Sequence, residues 1–120
     1  MTDLIDLGGH SLGAAHALIA AGMLLEDGGP RPFSVITCGS PAPGCETLRN
    51  VLSKGLDYSD QRAYRNAGDP VPLVPTQPPY LHPTDLRLLG QPSPLDFTNH
   101  KIALYQARVP DQSNSHVSLR

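Results

Sequence analysis

Tryptophan is absent from this chain of 120 residues, aromatic residues make up only 5% of it and hydrophobic residues 39%, so we expect a core of modest size. Cysteine is also scarce, because Cys38 and Cys45 are the only two, too few for a disulfide framework. Since Cys38 ends an apolar run, we expect it to be a buried free thiol. The net charge of −2 provides no basic surface, so nucleic acid and anionic membranes are not expected partners.

An uninterrupted apolar run long enough for a membrane span is missing as well. The uncharged stretch from Leu7 to Leu25 is broken by four glycines and two histidines, and its hydrophobicity is too low. We expect it to supply a buried core helix instead. Met1 is not followed by the basic and apolar regions of a signal peptide, so the compartment stays open, with the cytoplasm expected if Met1 is the true start.

Proline and glycine, by contrast, are abundant, with 13 and 11 residues, and the prolines crowd into a second half that must be rich in loops. Strand-like and helix-like runs alternate before it, which predicts an α/β fold of three or four mainly parallel strands with flanking helices. We place one domain at residues 1–109 and a polar, flexible tail at 110–120. The predicted strands are Leu4–Leu7, Pro32–Cys38, Gln61–Asn66 and a short one around Leu86–Leu88, and the predicted helices are Ser11–Leu25, Glu46–Lys54 and Asn99–Ala107.

The most informative stretch is Gly9-His10-Ser11-Leu12-Gly13, which matches the Gly-x-Ser-x-Gly pattern of a nucleophile elbow. It stands between a predicted strand and a predicted helix, the context that this motif requires. Gly9 and Gly13 would let the two backbones pass closely, and the serine hydroxyl would point outward. The Leu12 N–H, in the first turn of the helix, is the natural donor to a developing oxyanion. The alternative is a glycine-rich turn with an idle serine.

The carboxyl ends of parallel strands meet at one edge of a sheet, and the sequence places Ser11, Gly39-Ser40-Pro41 and Gly68-Asp69 there. Ser11 follows the first strand, Asp69 the third, and His100 comes later, which is the chain order of an α/β-hydrolase triad. His100 would take the proton of Ser11, because a serine hydroxyl is a weak nucleophile without a base. A buried Asp69 would orient the imidazole.

Other residues compete for these roles. The alternative carboxylates are Asp57, Asp60, Asp85 and Asp96, and Asp69 is preferred because a rigid, proline-bounded loop holds it. His82 and His116 compete as the base, but His116 lies in the predicted tail. We expect His82 to line a pocket or to be solvated, and His16 to pack or to form a hydrogen bond locally.

Four blocks in order resemble the fungal-type (class 3) lipases, and the resemblance covers roughly residues 4–107. They are Gly9–Ala15, Val35–Pro41, Arg65–Pro72, and His100 ahead of Ala103-Leu104-Tyr105. The resemblance implies a three-layer α/β-hydrolase fold that cleaves carboxylic esters, often acylglycerols, with Ser11 as nucleophile, Asp69 as acid and His100 as base. It implies no metal and no cofactor. We expect substrate to contact His10, Pro41, Val71 and His82.

The chain also departs from that family. In class 3 lipases about half of the hydrolase domain precedes the elbow and carries further strands, a lid that meets the lipid interface and the loop with the second oxyanion donor. Here Ser11 follows Met1 by ten residues, so we expect only the carboxyl-terminal half of the domain, with weak or no activity alone. Its first strand would be left unpaired, which favours self-association or completion by an amino-terminal half. The alternatives are a non-catalytic remnant or interaction module, and an acyltransferase.

Overall fold

Four parallel strands form one sheet in the computed structural model, which describes residues 4–28 and 31–115. The strands follow one another across the sheet in chain order, and neighbouring pairs are in register at Leu7 and Val35 and at Ala63 and Leu86. The predicted parallel α/β fold is therefore confirmed, with four strands. They are β1 (Leu4–His10), β2 (Arg31–Cys38), β3 (Gln61–Asn66) and β4 (Leu86–Leu89).

Two helices, α1 (Leu12–Asp27) and α2 (Glu46–Gly55), build the main core on one face of the sheet. Small residues bring them close: a Cβ added at Gly22 would lie 2.7 Å from Leu48 Cδ1. α1 ends at Gly28, whose φ of 68° is the left-handed conformation that favours glycine at a helix end. No helix of the described residues is long and apolar enough to cross a membrane. The core consists of Leu18, Ala21, Val35, Leu52 and Leu56, with Leu7, Leu25 and Leu48 packed against it.

The third helix, α3 (Ile102–Ser115), packs on the opposite face against β3 and β4. Tyr64 and Leu89 from the strands form a second apolar cluster with Tyr105 from α3, and all three are almost fully buried. This gives the helix–sheet–helix layering expected of the fold. On the same face of the sheet, Ile36 of β2 remains 36% exposed, so α3 leaves part of the sheet surface open.

Two boundaries near the end of the chain differ from the sequence prediction. The predicted helix Asn99–Ala107 is split into a short helical turn, Phe97–His100, and α3, because Asp96 caps the turn through Thr98 N at 2.8 Å and Lys101 is extended. His100 therefore ends this turn and does not begin a helix.

α3 also continues to Ser115, past Pro110, so the first part of the predicted tail is helical. A proline removes one backbone hydrogen bond from a helix, and here that loss does not end it. The remaining residues of that segment, including His116, lie outside the described part of the chain. The division of the chain at residue 109 stays a prediction.

Candidate active site

The turn between β1 and α1 carries Ser11 in a strained backbone conformation. Its φ of 60° is positive, and among the described residues other than glycine this is the only such case. Ser11 N donates to Cys38 O at 3.0 Å, which fixes the turn to the end of β2, and Ser11 O accepts from Ala14 N and Ala15 N at the start of α1. The serine is thus held between a strand end and a helix start, as the elbow motif predicts.

The two glycines of the motif are not equivalent. A Cβ added at Gly9 would lie 2.5 Å from Gly13 C, which is a collision between backbones. A Cβ added at Gly13 would meet nothing within 4 Å. The sequence prediction that both positions need glycine is therefore wrong for Gly13, because its backbone lies close to β1 but a Cβ there would point into open space.

His100 lies between Ser11 and Asp69 and is hydrogen-bonded to both. The distance from His100 Nε2 to Ser11 Oγ is 2.8 Å, and that from His100 Nδ1 to Asp69 Oδ2 is 2.9 Å. A carboxylate oxygen accepts, so in this geometry Nδ1–H is the donor to Asp69 and Nε2 faces the serine hydroxyl. Asp69 is fully buried and the His100 side chain is 17% exposed. The structure thus brings together the three residues that sequence order suggested.

Asp69 is held by three further groups, one in its own loop, one at the end of β3 and one in α3. Its Oδ1 accepts from Val71 N at 2.9 Å, and its backbone N donates to Asn66 O at 2.9 Å. Tyr105 of α3 donates its hydroxyl to Asp69 Oδ2, the oxygen that also binds His100. Burial raises the pKa of the Tyr105 phenol well above its usual range, so the hydroxyl stays a donor. Sequence reasoning assigned Tyr105 only to an apolar helix face, although a buried tyrosine in that face calls for a partner for its hydroxyl.

His10 and Gly39 shape the surroundings of His100. His10 Nε2 donates to the His100 backbone carbonyl at 2.6 Å, and the two rings stack with centroids 4.6 Å apart. Gly39 has a φ of 63°, and a Cβ there would lie 3.0 Å from both Asp69 Oδ2 and the His100 ring. His10 therefore helps to hold His100 in place through the backbone carbonyl and the ring of that residue. Binding of substrate by His10 stays a prediction.

The other candidate substrate contacts lie in loops at the carboxyl edge of the sheet. His82 Nε2 donates to Pro72 O at 2.6 Å, and burial lowers the pKa of this imidazole. Pro41 is half-buried and its carbonyl accepts from the hydroxyl of the buried Ser40 at 2.7 Å. Val71 contributes its backbone N–H to Asp69. These contacts stabilise the loops, and binding of substrate by Pro41, Val71 and His82 stays a prediction.

The carboxylates that were alternatives to Asp69 lie elsewhere in the fold. Asp57 and Asp60 belong to the turn before β3, Asp85 is exposed, and Asp96 caps the turn that ends at His100. The described residues contain no group of three or more histidine, cysteine or acidic side chains that could hold a metal.

The two cysteines lie outside the hydrogen-bonded triad, and both are free. Cys38 is half-buried, less than expected from its place at a strand end, and burial raises the pKa of its thiol to about 11.

Leu12, whose N–H is the expected oxyanion donor, is the first residue of α1 and is 62% exposed. The first N–H groups of a helix have no partner within the helix, so they are available to a ligand.

The chain is similar in sequence and in fold to known lipases. A sequence model of the family described as Lipase (class 3) matches residues 4–78. The protein "Secreted mono- and diacylglycerol lipase 1" of Fusarium solani is 39% identical over 69 residues, which are 56% of this chain and 19% of that protein. The crystal structure of Lip2 lipase from Yarrowia lipolytica matches with a TM-score of 0.60 at 29% identity, covering 74% of this chain and 33% of that one. A lipase from Rhizopus microsporus var. chinensis matches with a TM-score of 0.60 at 28% identity, covering 75% and 32%.

The chain thus spans about a third of the length of these solved lipases and about a fifth of the curated relative. Its sheet and flanking helices are those of part of an α/β-hydrolase fold. The family match contains Ser11 and Asp69 and covers more than half of the residues, while His100 lies beyond it. On this combination of sequence match and shared fold, the chain belongs to the class 3 lipase family.

Proposed function

We propose that this chain carries the catalytic triad of a lipid-ester hydrolase, with Ser11 as nucleophile, His100 as base and Asp69 as the carboxylate that orients it. The observation that carries the proposal is the hydrogen-bonded path from Ser11 Oγ through His100 to the buried Asp69. Membership of the class 3 lipases supports an ester of a lipid as substrate. An acylglycerol is the proposed form, because the matched Fusarium solani protein is a mono- and diacylglycerol lipase.

The reaction would follow from the positions of these atoms. Ser11 Oγ attacks the ester carbonyl while His100 Nε2 takes its proton, and the Leu12 N–H binds the oxyanion that forms. His100 then gives the proton to the leaving alcohol as the carbon–oxygen bond breaks, which leaves the acyl group on Ser11. His100 then takes a proton from a water molecule that attacks this acyl ester, and it returns the proton to Ser11 Oγ as the bond between Oγ and the acyl carbon breaks, which releases the fatty acid and restores the serine. Asp69 stabilises the protonated imidazole at each stage.

The proposal includes a partner for β1. β1 forms one edge of the sheet, and parallel sheets are ordinarily covered on both faces and continued at such edges. The exposed Ile36 marks sheet surface that α3 does not cover. We propose that the remainder of a lipase domain, in the same protein or in a second chain, pairs with β1, covers this face and supplies the second oxyanion donor.

A fluorophosphonate probe tests the triad directly, because it forms a bond only with an activated serine. We expect the probe to label the 120-residue chain at Ser11, with fluoride as leaving group, and Ser11→Ala to remove labelling. Ser40→Ala is the matched control, since Ser40 is 3% exposed and its hydroxyl is bonded to Pro41 O. Equal labelling of the two variants would refute the assignment of Ser11.

A second experiment tests whether an amino-terminal lipase half completes the proposed active site. Adding an amino-terminal lipase half, in trans or fused in frame, should raise hydrolysis of a short-chain p-nitrophenyl ester by about a hundredfold, the usual effect of one oxyanion donor. The same addition to Ser11→Ala should give no gain. Full lipase turnover by the unsupplemented chain, sedimenting as a monomer, would contradict the need for a partner.

A non-catalytic binding role is the second candidate, and the open edge of β1 favours it, because an unpaired strand edge can add another chain. A folded chain that the probe does not label, but that binds an amino-terminal lipase half, would support this alternative.

A further inference from the structure

Asn66, the last residue of β3, contacts the loop that carries Asp69 and the loop that carries His100. It is fully buried, and its side chain uses both ends of the carboxamide. Asn66 Nδ2 donates to Asn99 O at 2.9 Å, and Asn66 Oδ1 accepts from Arg108 Nη1 at 3.2 Å. Its backbone carbonyl accepts from Asp69 N at 2.9 Å. One residue therefore contacts the loop of the acid, the loop of the base and α3.

The contact with Asn99 matters because Asn99 directly precedes His100. Two consecutive backbone carbonyls accept hydrogen bonds from two different strands. Asn99 O accepts from Asn66 at the end of β3, and His100 O accepts from His10 at the end of β1. Asn99 O belongs to the peptide plane before the His100 Cα and His100 O to the plane after it, so the two bonds together orient the backbone on both sides of His100 and the direction in which its side chain leaves.

Little else buries this part of the chain. Residues 90–98 are exposed, and Asp96 N to Gly68 O, at 2.9 Å, ties the loop to the sheet edge four residues before His100. The backbone that leads into His100 is thus held to the rest of the protein by few contacts. A general base must stay within hydrogen-bond reach of its proton, and a misplacement of about 1 Å can cost about a hundredfold in rate.

The backbone N–H of Asn66 contributes separately. It donates to the Tyr105 hydroxyl oxygen at 3.0 Å, so that the single hydroxyl proton is directed to Asp69. A change of the Asn66 side chain leaves this backbone donor in place. Side-chain variants therefore act only on the bonds of the carboxamide to Asn99 O and to Arg108 Nη1, which the choice of variants can separate.

We infer that Asn66 is a positioning residue of the proposed hydrolase, which sets the His100 imidazole between Ser11 and Asp69 by holding the Asn99 carbonyl. The expected effect of Asn66 on catalysis rests on the proposed function. Its effect on the position of the His100 ring rests only on the geometry around His100. Asn66→Asp keeps the shape and the acceptor for Arg108, but replaces the donor to Asn99 O by a second oxygen, which repels that carbonyl. Asn66→Leu removes the donor without adding a charge.

The test uses the full 120-residue chain and compares these variants with Arg108→Gln, which removes the partner on the other side of the same carboxamide. Circular dichroism gives the thermal midpoint, and a fluorophosphonate gives the second-order labelling rate of Ser11 at a temperature where each protein is folded. We expect both Asn66 variants to label about ten- to a hundredfold more slowly. Arg108→Gln should lose comparable thermal stability yet label within about twofold of the wild type, since the Asn99 contact remains.

Proton NMR of His100 Nδ1–H gives a readout that a loss of stability alone would not move. We expect a hydrogen-bonded resonance in the wild type and in Arg108→Gln, and its loss or displacement in the Asn66 variants. Labelling that falls in step with the thermal midpoint in all three variants, or an unchanged resonance, would overturn the inference, as would unfolding of both Asn66 variants. If the wild type is folded but does not label, the proposed function fails, and the resonance still decides the role of Asn66.

Discussion

The Tyr105 hydroxyl donates a hydrogen bond to Asp69 Oδ2, the same carboxylate oxygen that accepts the hydrogen bond from His100 Nδ1. The two residues are 36 positions apart in the chain, and α3 brings the phenol to the buried acid through the second apolar cluster. Asp69 is thus held by two charge-assisted hydrogen bonds on one oxygen and by a backbone N–H on the other. The orientation of the proposed acid depends on packing of α3 as well as on its own loop.

Tyr105→Phe keeps the ring in the cluster but removes the hydroxyl from Asp69 and from Asn66 N–H. Because a buried donor then loses its partner, we expect the free energy of unfolding, measured with urea, to fall by about 1–3 kcal/mol. Tyr64→Phe, the same chemical change in the same cluster, is the matched control and should cost less. An equal loss in both variants would mean that the bond to Asp69 adds nothing to stability.

His100 and Asp69 should act on Ser11 as a unit. We expect His100→Ala to reduce fluorophosphonate labelling of Ser11 close to background, because no base then takes the serine proton. Adding Asp69→Asn to that variant should change the rate little further, since residues of one relay are strongly non-additive. Independent, multiplicative losses in the labelling rate of the double variant would argue against a shared relay.

Gly9 and Gly13 should respond oppositely to alanine. Gly9→Ala places a Cβ 2.5 Å from Gly13 C, so we expect loss of the cooperative thermal transition or a large drop in its midpoint. Gly13→Ala finds open space and lies within α1, where alanine is favoured over glycine by up to about 1 kcal/mol. Its thermal midpoint should therefore stay unchanged or rise, and a severe loss there would show that α1 approaches β1 differently.

His82 should make stability depend on pH. Burial, opposed by the bond to Pro72 O and aided by the charge of Arg65, lowers the pKa of His82 below its usual value of 6.5. The unfolded chain therefore binds this proton more readily, and the stability present above about pH 6.5 is lost as the pH falls toward the lower, folded pKa.

The variant His82→Gln isolates this effect, because its amide can still donate to Pro72 O but does not titrate. Urea unfolding at pH 7.5 and pH 5.5 should show a smaller loss of stability for His82→Gln than for the wild type. The comparison cancels contributions from the other histidines, which both proteins share. The same pH dependence in both would contradict a depressed pKa at His82.

Much of this architecture is determined locally and can be predicted from the sequence. The alternation of apolar runs sets the strands and helices, and the bounds predicted for β3 match the structure. The Gly-x-Ser-x-Gly pattern places Ser11 in a tight turn between a strand and a helix. The two backbones come so close there that Gly9 has no room for a side chain. Since the carboxyl ends of parallel strands share one edge, the order Ser11, Asp69, His100 also predicts that these residues meet.

The contacts that set the geometry of the site were decided by the tertiary structure alone. Asn66 reaches Asn99 over 33 positions and Arg108 over 42, distances at which no local pattern constrains a side chain. Asn66 reads locally as the end of a polar strand. Its partners become defined only when α3 packs on β3, because burial then removes water as the alternative partner and requires the protein itself to satisfy each donor and acceptor.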